Sequence, residues 1–293
     1  MDENVLAYRF HDERPRLSAM AFRMLGSVED AEDAIQRAWF KTARSDIDDL
    51  ANLSGWLTTV VSRECLDMMR SRRRRNESPL HDEMATALGG VAPSAEEEII
   101  RLESVSRALL VVLEKLSPAQ RVAFVLHDVF AVPFEDIGTI LDRTPTAAKK
   151  LASKARLRVG PRDYEVDADA TRADVELVEA FLGAARDGDI ITLLKVLAPD
   201  VIRRADPSLV PAGVPIEIRG ARAVAEETSL FAPRVRVGAV VLIDEAPGIV
   251  IAPGGRLLAL LCVTIRARQI HEVRLLDAAT SSTRRITLAN NAF

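Results

Sequence analysis

Residues 70–75 read RSRRRR, five arginines in six positions, and from Arg143 to Arg162 the chain carries seven basic residues and no acid. Side chains of this kind suit phosphates, because each phosphate they neutralise releases condensed counterions. A basic run is equally the signature of an ordinary solvated face, so neither island decides alone. The stretch between them sharpens the choice: residues 76–114 hold eight acids against two arginines. Two cationic islands separated by an acidic connector point to nucleic acid as a partner. The net charge of −4, from 39 Lys and Arg against 43 Asp and Glu, hides this asymmetry.

Other chemistries find little support. His11, His81, His127 and His271 are scattered without metal-ligand spacing, so no metal is expected. His127 lies in an apolar helical run and reads as a satisfied core residue. Cys65 and Cys262 cannot form a disulfide framework; Cys65 falls on an apolar helical stripe and reads as a small core hydrophobe. No stretch free of charge exceeds 13 residues (Leu50 to Ser62), too short for a spanning helix of about 20. The start, MDENVLAYRFHDERPR, is charged where a signal peptide carries an apolar core. A cytoplasmic protein without membrane contact or cofactor is expected. At 293 residues, 48% hydrophobic and 28% charged, the chain is neither disordered nor a single small domain.

Periodicity supplies the elements. Residues 4–75 read as helices, 76–95 as a linker rich in turn formers, and 96–160 as helical again. A second polar linker covers 161–174. Residues 175–293 then read as a helix, a second helix through ITLLKVL, and strand-like runs VIRRA, PIEIR, RVRVGAVVLI, GIVIA, RLLALLCVTI and QIHEVRLL. Gly254-Gly255 marks a hairpin. The expected fold is multidomain: two all-α domains, then an α+β domain.

Ser27, with Asp30 three residues on, opens a helix as a capping-box variant. On it Ala31, Ala34, Ile35, Ala38 and Trp39 share one face, while Asp30, Asp33, Gln36, Arg37 and Phe40 share the other. An acidic face with an exposed Phe suggests docking; the plainer reading is a solvated face with one stray aromatic. The next helix, from about Gly55 to Arg75, sorts Leu57, Val60, Val61, Cys65 and Met68 inward and Arg63, Asp67, Arg70 and Arg74 outward.

MLGSVEDAEDAIQRAWFK followed by GWLTTVVSRECLDMMRSRRRR resembles the second region of the extracytoplasmic-function sigma factors of bacterial RNA polymerase, in the sigma-70 family. The family's D-A-E-D-x-x-Q-E block, which docks on the polymerase core, matches Asp30, Ala31, Glu32, Asp33 and Gln36. Arg37 stands where the family usually has Glu. The resemblance further implies that the loop from Asn52 through Ser54 to Trp56, with the helix face of Arg63, Asp67, Arg70 and Arg74, captures a flipped base of the −10 element and opens the duplex. Exposed bases need stacking and hydrogen-bonding groups with cations beside them.

Ser117-Pro118-Ala119-Gln120 starts another helix, with Ser as cap, Pro first and Gln reaching back. FEDIGTIL, the turn DRTP and TAAKKLASKARLRV then have helix-turn-helix form. Thr144 caps the last helix. Ala148, Leu151, Ala152, Ala155 and Val159 line one side of it, and Thr146, Lys149, Lys150, Ser153 and Lys154 the other. Small apolar residues allow close packing, while short polar and long cationic ones suit base edges and phosphates. These segments resemble the fourth region of the same family, which reads the −35 element, implying contacts from Thr144, Thr146, Lys149, Lys150, Ser153, Lys154 and Arg156. The recognition helix departs from the family's commoner R-Q-L-x-S-R-A-R-R.

The remaining residues resemble a SnoaL-like cone-shaped α+β domain that several sigma-factor groups carry at the C-terminus. Ala267-Arg268 replaces the usual D-G of the final hairpin. SPLHDEM (78–84) and ADPSLVPAG (205–213) stand in place of W-L-P-E-P and D-G-G-G motifs. Catalytic relatives use a carboxylate base, for which Asp206, Glu217 and His271 are available, but no spacing singles them out. Regulation within the chain is favoured over ligand sensing and over catalysis, so no catalytic residue is assigned. The resemblance implies a non-enzymatic promoter-specificity subunit partnered by RNA polymerase core and promoter DNA. A small ligand in the C-terminal domain is left open, and an anti-sigma partner leaves no mark in the sequence. The competing readings are a ligand-sensing helix-turn-helix regulator acting alone and a SnoaL-like isomerase or cyclase with a DNA-binding arm.

Overall fold

Three helices, α1 (Glu3–Leu25), α2 (Val28–Ala43) and α3 (Leu53–Arg75), pack pairwise around the side chains that the 3.6-residue period places inward. Gly26, at φ +79°, ends α1 with its N–H on the Phe22 carbonyl at 2.7 Å, and the Ser27 hydroxyl accepts the Asp30 N–H to start α2. Leu17, Met20 and Met24 meet Ala31, Ala34, Ile35, Ala38, Leu57, Val61 and Cys65 in the interior. The computed structural model describes residues 3–44, 52–75, 104–160 and 168–289, except 212, 254–256 and 282. The linker 76–95 and the Gly254-Gly255 hairpin lie outside the described residues.

Two compact units divide the chain. The first joins residues 1–80 to 113–158, and therefore combines the three helices with α5 (Pro118–Phe124), a π-helical turn (Val125–Val129), α6 (Phe134–Leu141) and most of α7 (Pro145–Val159). Helix α4 (Ser104–Glu114) crosses the boundary between the units. Because α3 is covered by α5 and α6 as well as by α1 and α2, its buried sector is wider than the single expected stripe. Leu66 and Met69 are buried, and Met68 is only half-buried.

The second unit takes residues 81–112 and 159–292. Helix α8 (Ala168–Asp187) begins within the segment expected to be a linker, so residues 168–174 are helical. Helix α9 (Ile190–Val196) runs directly into β1 (Leu197–Ala205). The other strands are β2 (Glu217–Arg219), β3 (Gly238–Ile243), β4 (Ala246–Ile251), β5 (Ala259–Arg266), β6 (Gln269–Asp277) and β7 (Ile286–Leu288). They form one sheet in the order β2-β1-β6-β5-β4-β3-β7, antiparallel except for the β1–β6 pair.

Between β2 and β3 stand α10 (Ala221–Leu230) and α11 (Ala232–Val235), where the reading of RVRV as strand fails. Pro233 in the first turn of α11 suits a helical start and would remove a ladder donor from a strand. The β5–β6 hairpin turns through Ala267 (φ +47°) and Arg268 (φ +60°), the left-handed pair that a two-residue turn requires even without glycine.

Helices α8, α9 and α10 bury Val178, Phe181, Leu182, Leu193 and Val224 against Ile249, Leu261, Ile270 and Val273 of the sheet. Within this unit Arg203 of β1 is almost fully buried. It pairs with Glu227 of α10, and also donates to the carbonyls of Ile216 (3.2 Å) and Pro215 (3.0 Å). Removing one partner of such a pair leaves an uncompensated buried charge. Arg203→Met should therefore lower the stability of this unit by about 3–5 kcal/mol, and adding Glu227→Leu should recover much of the loss. Hydrogen exchange at the β1 amides checks both outcomes.

Candidate nucleic-acid interface

The helix-turn-helix is built from α6 and α7. Ser117 and Gln120 close a full capping box at the start of α5, each side chain bonding the other's backbone N–H. The π-helical turn then redirects the chain through Phe130 to Pro133, with Ala131 at φ +53°. His127, read from the sequence as a core residue, is only half-buried there, its Nδ1 paired with the Val132 carbonyl at 3.1 Å and its ring stacked 3.9 Å from Phe134. Asp142, in left-handed conformation, ends α6, and the Thr144 hydroxyl accepts the Ala147 N–H to start α7. Ala148, Ala152 and Ala155 are fully buried, and Val159 nearly so.

On the opposite face Thr144, Thr146, Lys149, Lys150, Ser153 and Lys154 are all exposed. Arg156 is exposed too, but its Nε donates to Asp128 at 2.6 Å. Arg158 is likewise bonded, to Gln120 at 2.9 Å. Three lysines thus form the outward cationic surface of α7.

Gly138 is the residue that sequence reasoning passed over. A Cβ there would lie 2.8 Å from the Arg143 carbonyl and 3.2 Å from the Pro145 nitrogen, so the tight turn between α6 and α7 depends on its absence. A lone Gly inside a helical pattern is the signal that marks such a close approach.

On α2, Asp33, Gln36, Arg37 and Phe40 are exposed, Phe40 by 59%. Asp30 differs from expectation: its side chain is 18% exposed and ion-paired with Arg72 of α3. The same pair withdraws one arginine from the 70–75 island. Glu64, buried and paired with Lys41, is a second strut between α2 and α3.

At the start of α3 the expected loop is already helix from Leu53, which places Ser54 and Trp56 in its first turn. The Asn52 side chain accepts the Gly55 N–H at 2.9 Å as a cap, and Ser54 accepts from Arg16 at 3.0 Å. Further along, Arg63, Asp67, Arg70 and Arg74 are exposed, Asp67 and Arg70 forming a loose pair at 3.8 Å. Arg63 donates to the Thr139 carbonyl at 2.8 Å.

In the second unit, the three candidate acid-base residues are tied to different partners. Glu217 is bonded by Arg204 and Arg219, and these bonds hold its carboxyl below the usual range. Asp206 accepts the Asp277 N–H at 2.9 Å, and His271 faces Asp200 at 3.4 Å. Burial pushes both thiols up, Cys65 most; Cys65 lies in the core, whereas Cys262 is half-buried. Among the described residues no group of His, Cys, Asp or Glu is arranged to hold a metal ion, and no helix is long and apolar enough to cross a membrane.

Residues 10–75 match the family Sigma-70 region 2, and residues 106–159 match Sigma-70, region 4. The probable ECF RNA polymerase sigma factor SigI of Mycobacterium tuberculosis is 36% identical over 203 residues, covering 68% of this chain and 69% of SigI. The chain belongs to the extracytoplasmic-function sigma factors. SigJ of the same organism is 40% identical over 197 residues, covering 66% of this sigma factor and 62% of SigJ. Against the crystal structure of Mycobacterium tuberculosis SigJ the TM-score is 0.44 at 29% identity, with 97% and 98% of the two chains covered.

For this sigma factor the Gly138 geometry has a measurable consequence. Gly138→Ala gains about 1 kcal/mol of helix propensity but forces the turn apart, and overpacking of this kind costs about 1–3 kcal/mol. A net loss of about 1–2 kcal/mol is expected. Trp39 and Trp56 both lie in the first unit, so tryptophan fluorescence in urea reads it directly.

Proposed function

We propose that this sigma factor recruits RNA polymerase core to promoters, reads their −35 and −10 elements and assists strand opening, and that its C-terminal unit modulates this activity in cis. The observation that carries the reading is α7: a fully buried alanine seam on one side and Lys149, Lys150 and Lys154 with Thr146 and Ser153 on the other. Such a helix approaches the major groove closely while its cations meet phosphates. In this reading Asp33, Gln36, Arg37 and Phe40 dock on core. Asn52, Ser54, Trp56, Arg63, Asp67, Arg70 and Arg74 serve the −10 strand, and Thr144 and Arg156 flank the −35 contact. The work is done in the cytoplasm without a cofactor.

The C-terminal unit, SnoaL-like in layout, acts as a regulator, and any small ligand or anti-sigma partner would act through it or through the helical unit. The separate engagements of Asp206, Glu217 and His271 favour regulation over catalysis. A tethered unit works at high effective concentration, so weak contacts suffice to bias activity.

Transcription reconstituted with purified core polymerase, on promoters selected from a randomised library, tests the proposal. Core alone should stay silent and core with this sigma factor should initiate. Duplex binding with no effect on core would favour the stand-alone regulator instead. Lys149→Ala with Lys150→Ala should reduce the salt slope of promoter binding by about 0.9 per lost phosphate contact, whereas a base-reading role would relax specificity at one position. Asp33→Arg with Phe40→Ala should abolish retention on core; Asp30 is left intact because its pair with Arg72 is structural.

Ending the chain at Gly160, ahead of α8, should change transcript yield severalfold. A yield and core affinity equal to those of the full chain would remove the regulatory role from the C-terminal unit.

A further inference from the structure

The π-helical turn Val125–Val129 carries a carboxylate, Asp128, whose side chain is 16% exposed. Turns of this kind recur at functional sites, because the extra residue re-aims the side chains around it. Asp128 Oδ1 accepts from the Arg156 Nε of α7 at 2.6 Å. Its Oδ2 is buried, and no described group bonds it. A strut between two elements is strongest when both carboxylate oxygens meet the guanidinium, which leaves no buried acceptor over. This pair is built differently.

The nitrogen that Asp128 takes decides what remains. Arg121 and Arg158 each give Nη1 to an acceptor inside the protein, the Met24 carbonyl and Gln120 respectively, both at 2.9 Å. Arg156 gives Nε, and among the described residues nothing bonds its Nη1 or Nη2. Those two nitrogens are the outer edge of the guanidinium, the fork that grips two oxygens of one phosphate. Arg156 is exposed, as are Thr146, Lys149 and Ser153. At 3.6 residues per turn Arg156 falls within about 20° of Lys149, two turns further along α7. The fork therefore lies on the flank of the cationic face. A long side chain tied at Nε has surrendered much of its rotamer freedom before any ligand arrives, so a phosphate meets it at a lower entropic cost.

We propose that Asp128 is a positioning residue for DNA: it holds Arg156 by Nε so that the Nη1 and Nη2 fork faces a phosphate beside the −35 duplex. The inference rests on the assignment of α7 to that duplex. Its sign is distinctive. A carboxylate near a polyanion repels it, so removing one that orients nothing tightens binding. Removing Asp128 loosens it, because the fork is then released.

The test titrates holoenzyme, core polymerase with the full chain, against a promoter fragment selected from the randomised library, at about 0.15 M salt. Arg156→Gln should weaken binding about fivefold and lower the salt slope by about 0.9, the value of one phosphate contact. Asp128→Ala should weaken binding by a similar factor although it deletes a negative charge. Asp128→Asn, which keeps an oxygen for Nε, should restore most of that loss. In the Arg156→Gln background Asp128→Ala should cost nothing more. Urea unfolding read by tryptophan fluorescence follows stability separately; a purely structural Asp128 would lower it and leave binding by the folded protein unchanged. Asp128→Ser, too short to reach Nε, repeats the measurement if the alanine variant fails to fold. Equal or tighter binding on loss of the Asp128 carboxylate, the same loss in both backgrounds, or unchanged binding by Arg156→Gln overturns the proposal. Lys149→Ala with Lys150→Ala reads the underlying assignment: an unchanged slope there removes α7 from DNA and this proposal with it. A lowered slope there, with Asp128→Ala binding normally, removes the positioning role alone.

Discussion

The helical unit depends on one half-buried arginine. Arg121 donates from Nε to the Leu113 carbonyl at 2.8 Å and from Nη1 to the Met24 carbonyl at 2.9 Å. Both acceptors lie in the last turn of a helix, α4 and α1 respectively, where carbonyls lack intrahelical partners and the dipole is negative. One planar group thus caps two helix ends and fixes the angle at which α5 meets them. Desolvation lowers its pKa to about 10, and it still carries its charge at neutral pH. A lysine at this position offers one point charge where two divergent donors are required.

This use of arginine recurs and divides labour between the two cationic residue types. Arg72 is matched to Asp30, Arg156 to Asp128, Arg158 to Gln120 and Arg63 to Thr139. Each joins elements far apart in sequence through a fork that suits carbonyl or carboxylate oxygens. The lysines of α7 stay on its exposed face. A mobile ammonium follows phosphates of any sequence, while a rigid fork holds a protein together. A basic island counted from sequence therefore overstates the charge left unmatched: Arg72 and Arg156 are both engaged within the protein.

Much of the helical half was legible because its signals are local. Ser27, Ser117 and Thr144 each bond a backbone N–H three residues on, and the alanine seam of α7 follows from a 3.6-residue period. The partners of Asp30 and Arg63 were not legible, because they lie on other helices and periodicity carries no information about them. The π-helical turn has no side-chain signature. Strand β7 was hidden by being only three residues long, and α10 was passed over although AVAEE is rich in helix formers. Sheet order, with β1 beside β6 in parallel, is a tertiary choice that strand patterns alone leave open.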